Sequence, residues 1–187
     1  MSAQPPSARD SAWDFALTVY GRPGARAACL ALQDRAGADA VALLALLHCA
    51  ACGAGALSRD RIAAALAAAA PWRAAAVLPL RAVRRGLKGL RFAGGDAVES
   101  VRRRVAEAEL LAERIALDRL VAVLRPVGAG GADRCADEGA RLLALYCAVA
   151  GIAADAENRG HLAALLAAAF PDAAGRAAAL VDAACGG

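Results

Sequence analysis

The run IAAALAAAAPWRAAAV, Ile62 to Val77, is alanine at ten of its sixteen positions, and it constrains the fold more than any other feature of the chain. Alanine surrenders no side-chain entropy on entering a helix and is the strongest helix former. It does little for a pleated surface, where β-branched and aromatic side chains are favoured. The same bias runs from end to end. Almost one residue in three is alanine, so the 59% hydrophobic share describes small side chains, and aromatic residues supply only 4%. No segment alternates apolar and polar residues as a half-buried strand does. The expectation is an all-α protein, an irregular bundle of about eight or nine helices.

Punctuation places those helices, with Asp or Ser before apolar runs and Gly or Pro after them. The reading gives helices from Ser11 to Tyr20 and from Pro23 to Arg35, then one capped by Asp39 that ends in the stretch LLHCAACGAG. A fourth runs from Ser58 to Ala70. Pro71 opens a fifth that reaches Arg91, kinked at Pro79, which cannot donate its backbone bond. Asp96, with Glu99 three residues on, resembles a capping box for a long helix to Leu124. Beyond Pro126 and VGAGGA, shorter helices cover 137–150, 158–170 and 172–184. Residues 10–125 are read as the main helical domain, 126–133 as a flexible loop, and 134–187 as a helical portion packing on the same domain. A chain of 187 residues is long enough to bury one substantial core. ADAVALLAL at Ala38 is echoed by ADEGARLLAL at Ala136, and IAAALAAAAP at Ile62 by LAALLAAAFP at Leu162. Two helical hairpins are therefore candidate pseudo-repeats, although alanine and leucine make such matches cheap.

The opening residues MSAQPPSARDSAWDF have no basic region followed by an apolar core, which points to the cytoplasm rather than export. Ala40 to Ser58 is uncharged over about the length a bilayer needs, but its glycines, His48 and alanines make it weakly apolar. A buried core helix is expected there, and no transmembrane segment. The six cysteines follow no disulfide framework and are read as free thiols. His48, Cys49 and Cys52 share one helix face and form a weak metal candidate, because no second CxxC or HxxxH supplies a fourth donor. As a redox pair Cys49 and Cys52 sit at the wrong end of the helix, where the dipole disfavours thiolate.

Two segments carry a resemblance. They are AWDFALTVYGRPGARAACLALQDRAGAD, from Ala12, and APWRAAAVLPLRAVRRGLK, from Ala70, and their marker residues run from Trp13, Asp14 and Phe15 through Gln33 and Asp34 to Trp72, Arg73, Arg84 and Arg85. Together they resemble the bacterial family known as domain of unknown function 2390. The resemblance covers about half of the chain and implies an intracellular helical protein with no assigned activity. It departs after Asp39, where family members carry a bulkier apolar run than ALLALLHCAACG, and that argues against His48, Cys49 and Cys52 as a family site.

Two regions are candidates for contact. Trp13, Leu17 and Tyr20 share a face and are expected in the core, while Asp14, Gln33 and Asp34 flank the Gly-Arg-Pro-Gly turn and mark a candidate polar pocket with Trp13 and Tyr20; the simpler reading is helix capping. Arg81, Arg84, Arg85, Lys88 and Arg91 fall within about 120° of a helix and, with Arg73, make a candidate surface for a protein partner or for an anion such as RNA or a membrane surface; the simpler reading is a solvated face. Net charge of +4 and the lack of interleaved aromatics weaken the nucleic-acid case. On the long helix, Glu99 with Arg103, Arg103 with Glu107 and Arg114 with Asp118 are expected as ion pairs. Val98, Val101, Val105, Ala108, Ala112 and Ile115 give it a seam that packs within the domain.

No phosphate-binding glycine loop, GxSxG or HExxH is present, and two histidines leave a Cys-His catalytic pair unsupported. The sequence therefore reads as a non-catalytic binding or adaptor protein without a cofactor. The alternative is a helical enzyme or carrier for a small hydrophobic, diphosphate or metal ligand, which would need paired acidic helices to hold magnesium.

Overall fold

The computed structural model describes residues 8–53, 57–90, 95–124 and 135–186. Among the described residues all regular structure is helical: α1 (Ala8–Tyr20), α2 (Ala25–Ala36), α3 (Ala40–Ala51), α4 (Arg59–Trp72), α5 (Leu78–Gly86), α6 (Gly95–Leu124), α7 (Cys135–Ala150), α8 (Ala156–Ala169) and α9 (Ala177–Cys185). The loop expected over 126–133, and Arg91, lie outside the described residues.

α3 is the hub. Asp39 caps it as expected, accepting from the Val41 amide at 3.0 Å, and every residue from Ala40 to Ala50 is buried. A helix apolar all round is stable only when neighbours cover every side. Here α1, α2, α6 and α7 do so. The uncharged stretch is thus a 12-residue core helix. The run long and apolar enough by composition to cross a bilayer is instead Arg59–Gly86, an alanine-rich stretch whose Arg73 and Arg81 are ion-paired inside the protein.

That run corrects the reading of Pro71. Instead of opening a new helix, Pro71 lies inside α4, and the chain passes through a π-helical turn, Arg73–Val77, directly into α5. Pro71 and Pro79 both withhold an amide donor, and the widened turn lies between them. Trp72 anchors the bend, its indole N–H donating to the Ala112 carbonyl at 2.9 Å.

Turns follow glycine chemistry. Gly24 and Gly37 have φ of 82° and 67°, a left-handed conformation open to glycine. Gly24 therefore delays α2 to Ala25, and Gly37 ends it. Arg22, in the first turn, reaches across to the Ala168 and Ala169 carbonyls, placing a cation at the C-terminal end of α8, where the helix dipole favours one. In the first turns of α6, Glu99 binds Arg102 at 2.6 Å rather than Arg103; the expected capping box with Asp96 lies outside the described side chains. Pro171–Arg176 forms a 3-10 segment before α9, shortening the helix expected from Asp172.

Two stripe assignments change. On α1 the buried positions are Ala12, Ala16 and Val19, and Leu17 is exposed. On α6 the expected seam divides: Ala112 is buried and Val98 and Val105 half-buried, whereas Val101 and Ile115 face solvent. The face turned inward runs through Glu109, Ala112, Ala116, Leu120 and Leu124. The two candidate repeats form helices in matching order, but α3 is buried on all sides while α7 keeps exposed residues such as Asp137 and Ala148.

Candidate functional site

Arg81 and Arg84 of α5 are turned toward the protein. Arg81 bridges two helices, bonding Glu109 at 3.0 Å and Glu113 at 2.5 Å on α6 and the Gln33 side-chain oxygen on α2. Arg84 binds both oxygens of Glu109. Arg85 meets Asp34 at 2.6 Å where both are about half exposed. Arg73 meets Asp39 at 2.8 Å, and the Asp39 amide donates to the Tyr146 hydroxyl at 2.6 Å. Four cations of the expected stripe therefore each face a carboxylate, and their charge is balanced internally. Lys88 is exposed.

This overturns the simple picture of a solvated basic face, because Glu109 and Glu113 come from a helix 25 to 32 residues further along. Glu109 is the missed residue. At 5% exposure it is a buried carboxylate, and its signal was its place at i and i+3 with Ala112 in the inward stripe of α6. Burial pushes the Glu109 carboxyl up, yet hydrogen bonds from Arg84 and Arg81 outweigh that and hold it below the ordinary carboxylate range. Glu113 goes the other way: burial raises it, and Arg81 does not fully compensate. Nearby, burial raises the Tyr20 hydroxyl, with Cys29 and Glu113 adding to it, and burial followed by Glu113 drives the Cys29 thiol up to about 12.

The candidate pocket does not assemble around the Gly-Arg-Pro-Gly turn. Gln33 and Asp34 are taken by α5, Asp14 is exposed, and Trp13 is half-buried with the Arg114 guanidinium 5.9 Å from its ring centroid. At the end of α3, His48 and Cys49 are buried and Cys52 is exposed. The Cys52 sulfur lies 3.4 Å from His48 Nε2, and the Phe15 ring packs edge-on against His48 at 5.5 Å. Burial lowers the His48 pKa and lifts the Cys49 thiol to about 12. Among the described residues no three His, Cys, Asp or Glu side chains are grouped to hold a metal ion.

A second feature lies on the surface. Of the nine large hydrophobic side chains exposed among the described residues, seven belong to the α5–α6 hairpin: Leu78, Val83, Leu90, Val101, Leu110, Leu111 and Ile115. On α6, Val101, Leu111 and Ile115 fall within about 80° of one another at helical spacing.

Residues 11–120 match the sequence model of the family described as "Protein of unknown function (DUF2390)". The chain belongs to the DUF2390 family. No curated protein and no solved structure matches it. The DUF2390 segment runs from α1 into α6 as far as Leu120, so it contains the whole Arg–Glu layer and the exposed stripe of α6, while α7 to α9 lie beyond it.

Proposed function

We propose that this DUF2390 protein is a non-catalytic binding protein of the bacterial cytoplasm, whose α5–α6 hairpin receives an amphipathic helix of an acidic protein partner. The observation that carries this reading is the concentration of exposed Leu, Val and Ile on one peripheral hairpin, with Leu111 64% exposed. Large apolar side chains gathered on a surface mark interaction sites. Val101, Ala108 and Ile115 recur every seven residues with Leu111 between them, the spacing a partner helix needs to interdigitate. Exposed Arg103 at the edge of that stripe and Arg104 within it favour acidic residues on the partner.

The arginines of α5 serve the hairpin by fixing it, and the contact itself is made by the apolar stripe. This favours protein over RNA or a membrane surface. A diphosphate enzyme has less support, since Asp34 and Asp39 each face an arginine where magnesium binding would need them turned to the metal.

The test is Leu111→Glu with Ile115→Glu. Both side chains are exposed, so the far-UV circular dichroism and melting temperature should match wild type. Affinity purification from the native host followed by native mass spectrometry should recover a stoichiometric partner with wild type, and its affinity should fall at least about 30-fold in the double variant, as for loss of a central interface anchor. Wild type recovered alone, or equal recovery with both proteins, would reject the proposal.

A further inference from the structure

Cys52 closes α3 and Cys135 opens α7, and the fold brings these ends together. The Cys135 sulfur lies 3.9 Å from the carbonyl oxygen of Ala51, the residue adjoining Cys52. Cys52 is exposed and Cys135 partly so, while Cys29, Cys49 and Cys147 are buried. The Cys52 sulfur faces His48 Nε2, and its exposed position leaves room for rotation about the Cα–Cβ bond. The two thiols are close enough for Cys135 to add to the burial that raises the Cys52 thiol.

We propose that Cys52 and Cys135 form a reversible regulatory disulfide with low-molecular-weight disulfides as the oxidant, fastening α7 to the end of α3. Cys135 is the attacking sulfur, because it stands partly exposed at the start of α7, whereas the Cys52 sulfur is held against His48. The Cys135 proton goes to solvent, and the thiolate attacks one sulfur of the small disulfide. The S–S bond of that molecule breaks, one half leaves as a thiolate and is protonated, and Cys135 carries the other half. The exposed Cys52 thiol loses its proton to solvent, and the Cys52 sulfur attacks the sulfur of Cys135. The mixed disulfide breaks, and its second half leaves as a thiolate that solvent protonates. Two protein thiols have then lost two electrons, and one small disulfide has become two thiols. Disulfides of this transient kind are the ones found in reducing compartments. The inference does not depend on the partner-binding reading.

The experiment uses the reduced full-length chain, incubated with mixtures of glutathione disulfide and glutathione, quenched in acid, alkylated under denaturing conditions and mapped by peptide mass spectrometry. The expected product links Cys52 to Cys135, reverts with excess glutathione, and melts about 10 °C above the reduced form, as a bond closing a loop of this length should. Cys52→Ser should halt at a glutathione adduct on Cys135. Cys135→Ser should leave Cys52 largely unmodified. Both substitutions sit outside the buried core, so circular dichroism should show the fold retained. Six alkylated thiols across the whole redox range, or a link joining a different pair such as Cys147 and Cys185, would overturn the proposal.

Discussion

Glu109 is the residue on which the α5–α6 junction turns. It accepts from two guanidiniums while only 5% exposed, so deleting its charge leaves Arg81 and Arg84 without their main counter-ion. Removing one partner of a buried pair costs about 3–5 kcal/mol, and Glu109→Gln should lose that much in urea unfolding at pH 7. The exposed pair is the contrast: Asp34→Asn, which removes the partner of Arg85, should cost under about 1 kcal/mol. The two glutamates also pull in opposite directions with pH. The depressed Glu109 carboxyl stabilises the fold above its unfolded value near 4.5, and that contribution is lost as pH falls through the folded value. Glu113, raised by burial, instead relieves a cost as it protonates, so it softens the acid limb. Unfolding free energies measured between pH 7 and pH 3 should therefore fall less steeply in Glu109→Gln than in wild type, and more steeply in Glu113→Gln. An unchanged slope in both variants would contradict the assignment. Sequence spacing shows only that Glu109 stands three residues before Ala112, not that it meets two arginines. The arginines were visible because they cluster, but their partners lie on another helix, and a glutamate in an inward stripe looks like any charge on a solvated face.

At the scale of elements, alanine content made the helices readable, and the errors came from backbone chemistry. Pro71 suits a helix start, where its missing donor is harmless, but the ladder here continues past it by widening to a π turn. The α6 seam split because its heptad spacing crosses two faces of a straight helix, whose period is 3.6. Only one of those faces meets the core. Where helices meet, small residues set the distance. A Cβ on Gly139 of α7 would come within 2.8 Å of the Phe170 ring and 2.9 Å of Leu166. Gly139→Val should therefore overpack the α7–α8 contact and lower the melting temperature by about 3–10 °C, read by differential scanning calorimetry. A melting temperature equal to or above wild type would show that α7 and α8 have slack to accommodate the larger side chain.

The molecule as a whole is built around a helix that has no outside. α3 needs α7 as much as it needs α6, and the core runs continuously through Leu43, Leu47, Leu143 and Leu166. A fragment ending at residue 134 would keep the full DUF2390 match yet strip α7 from α3. It should show reduced helicity by circular dichroism and associate on size-exclusion chromatography, and a monomeric fragment of native helicity would disprove this dependence. The all-α class was legible from alanine, and the burial of α3 from its lack of charge. What the chain contacts was not, because the exposed stripe is defined by which side of α6 the rest of the fold leaves uncovered.

The paired charges between α5 and α6 also act as a registration mark. No residue of α5 is fully buried, so sliding it past α6 by a turn changes their apolar fit very little. Charge makes that slip expensive. Moved one way, Arg81 would face Val105 and Glu109, stranding Glu113; moved the other way, it would face Glu113 and Leu117, stranding Glu109. Either shift leaves a carboxylate in a dry seam without its cation, at about 3–5 kcal/mol. In a chain written largely in one small residue, four charged side chains give the hairpin its address.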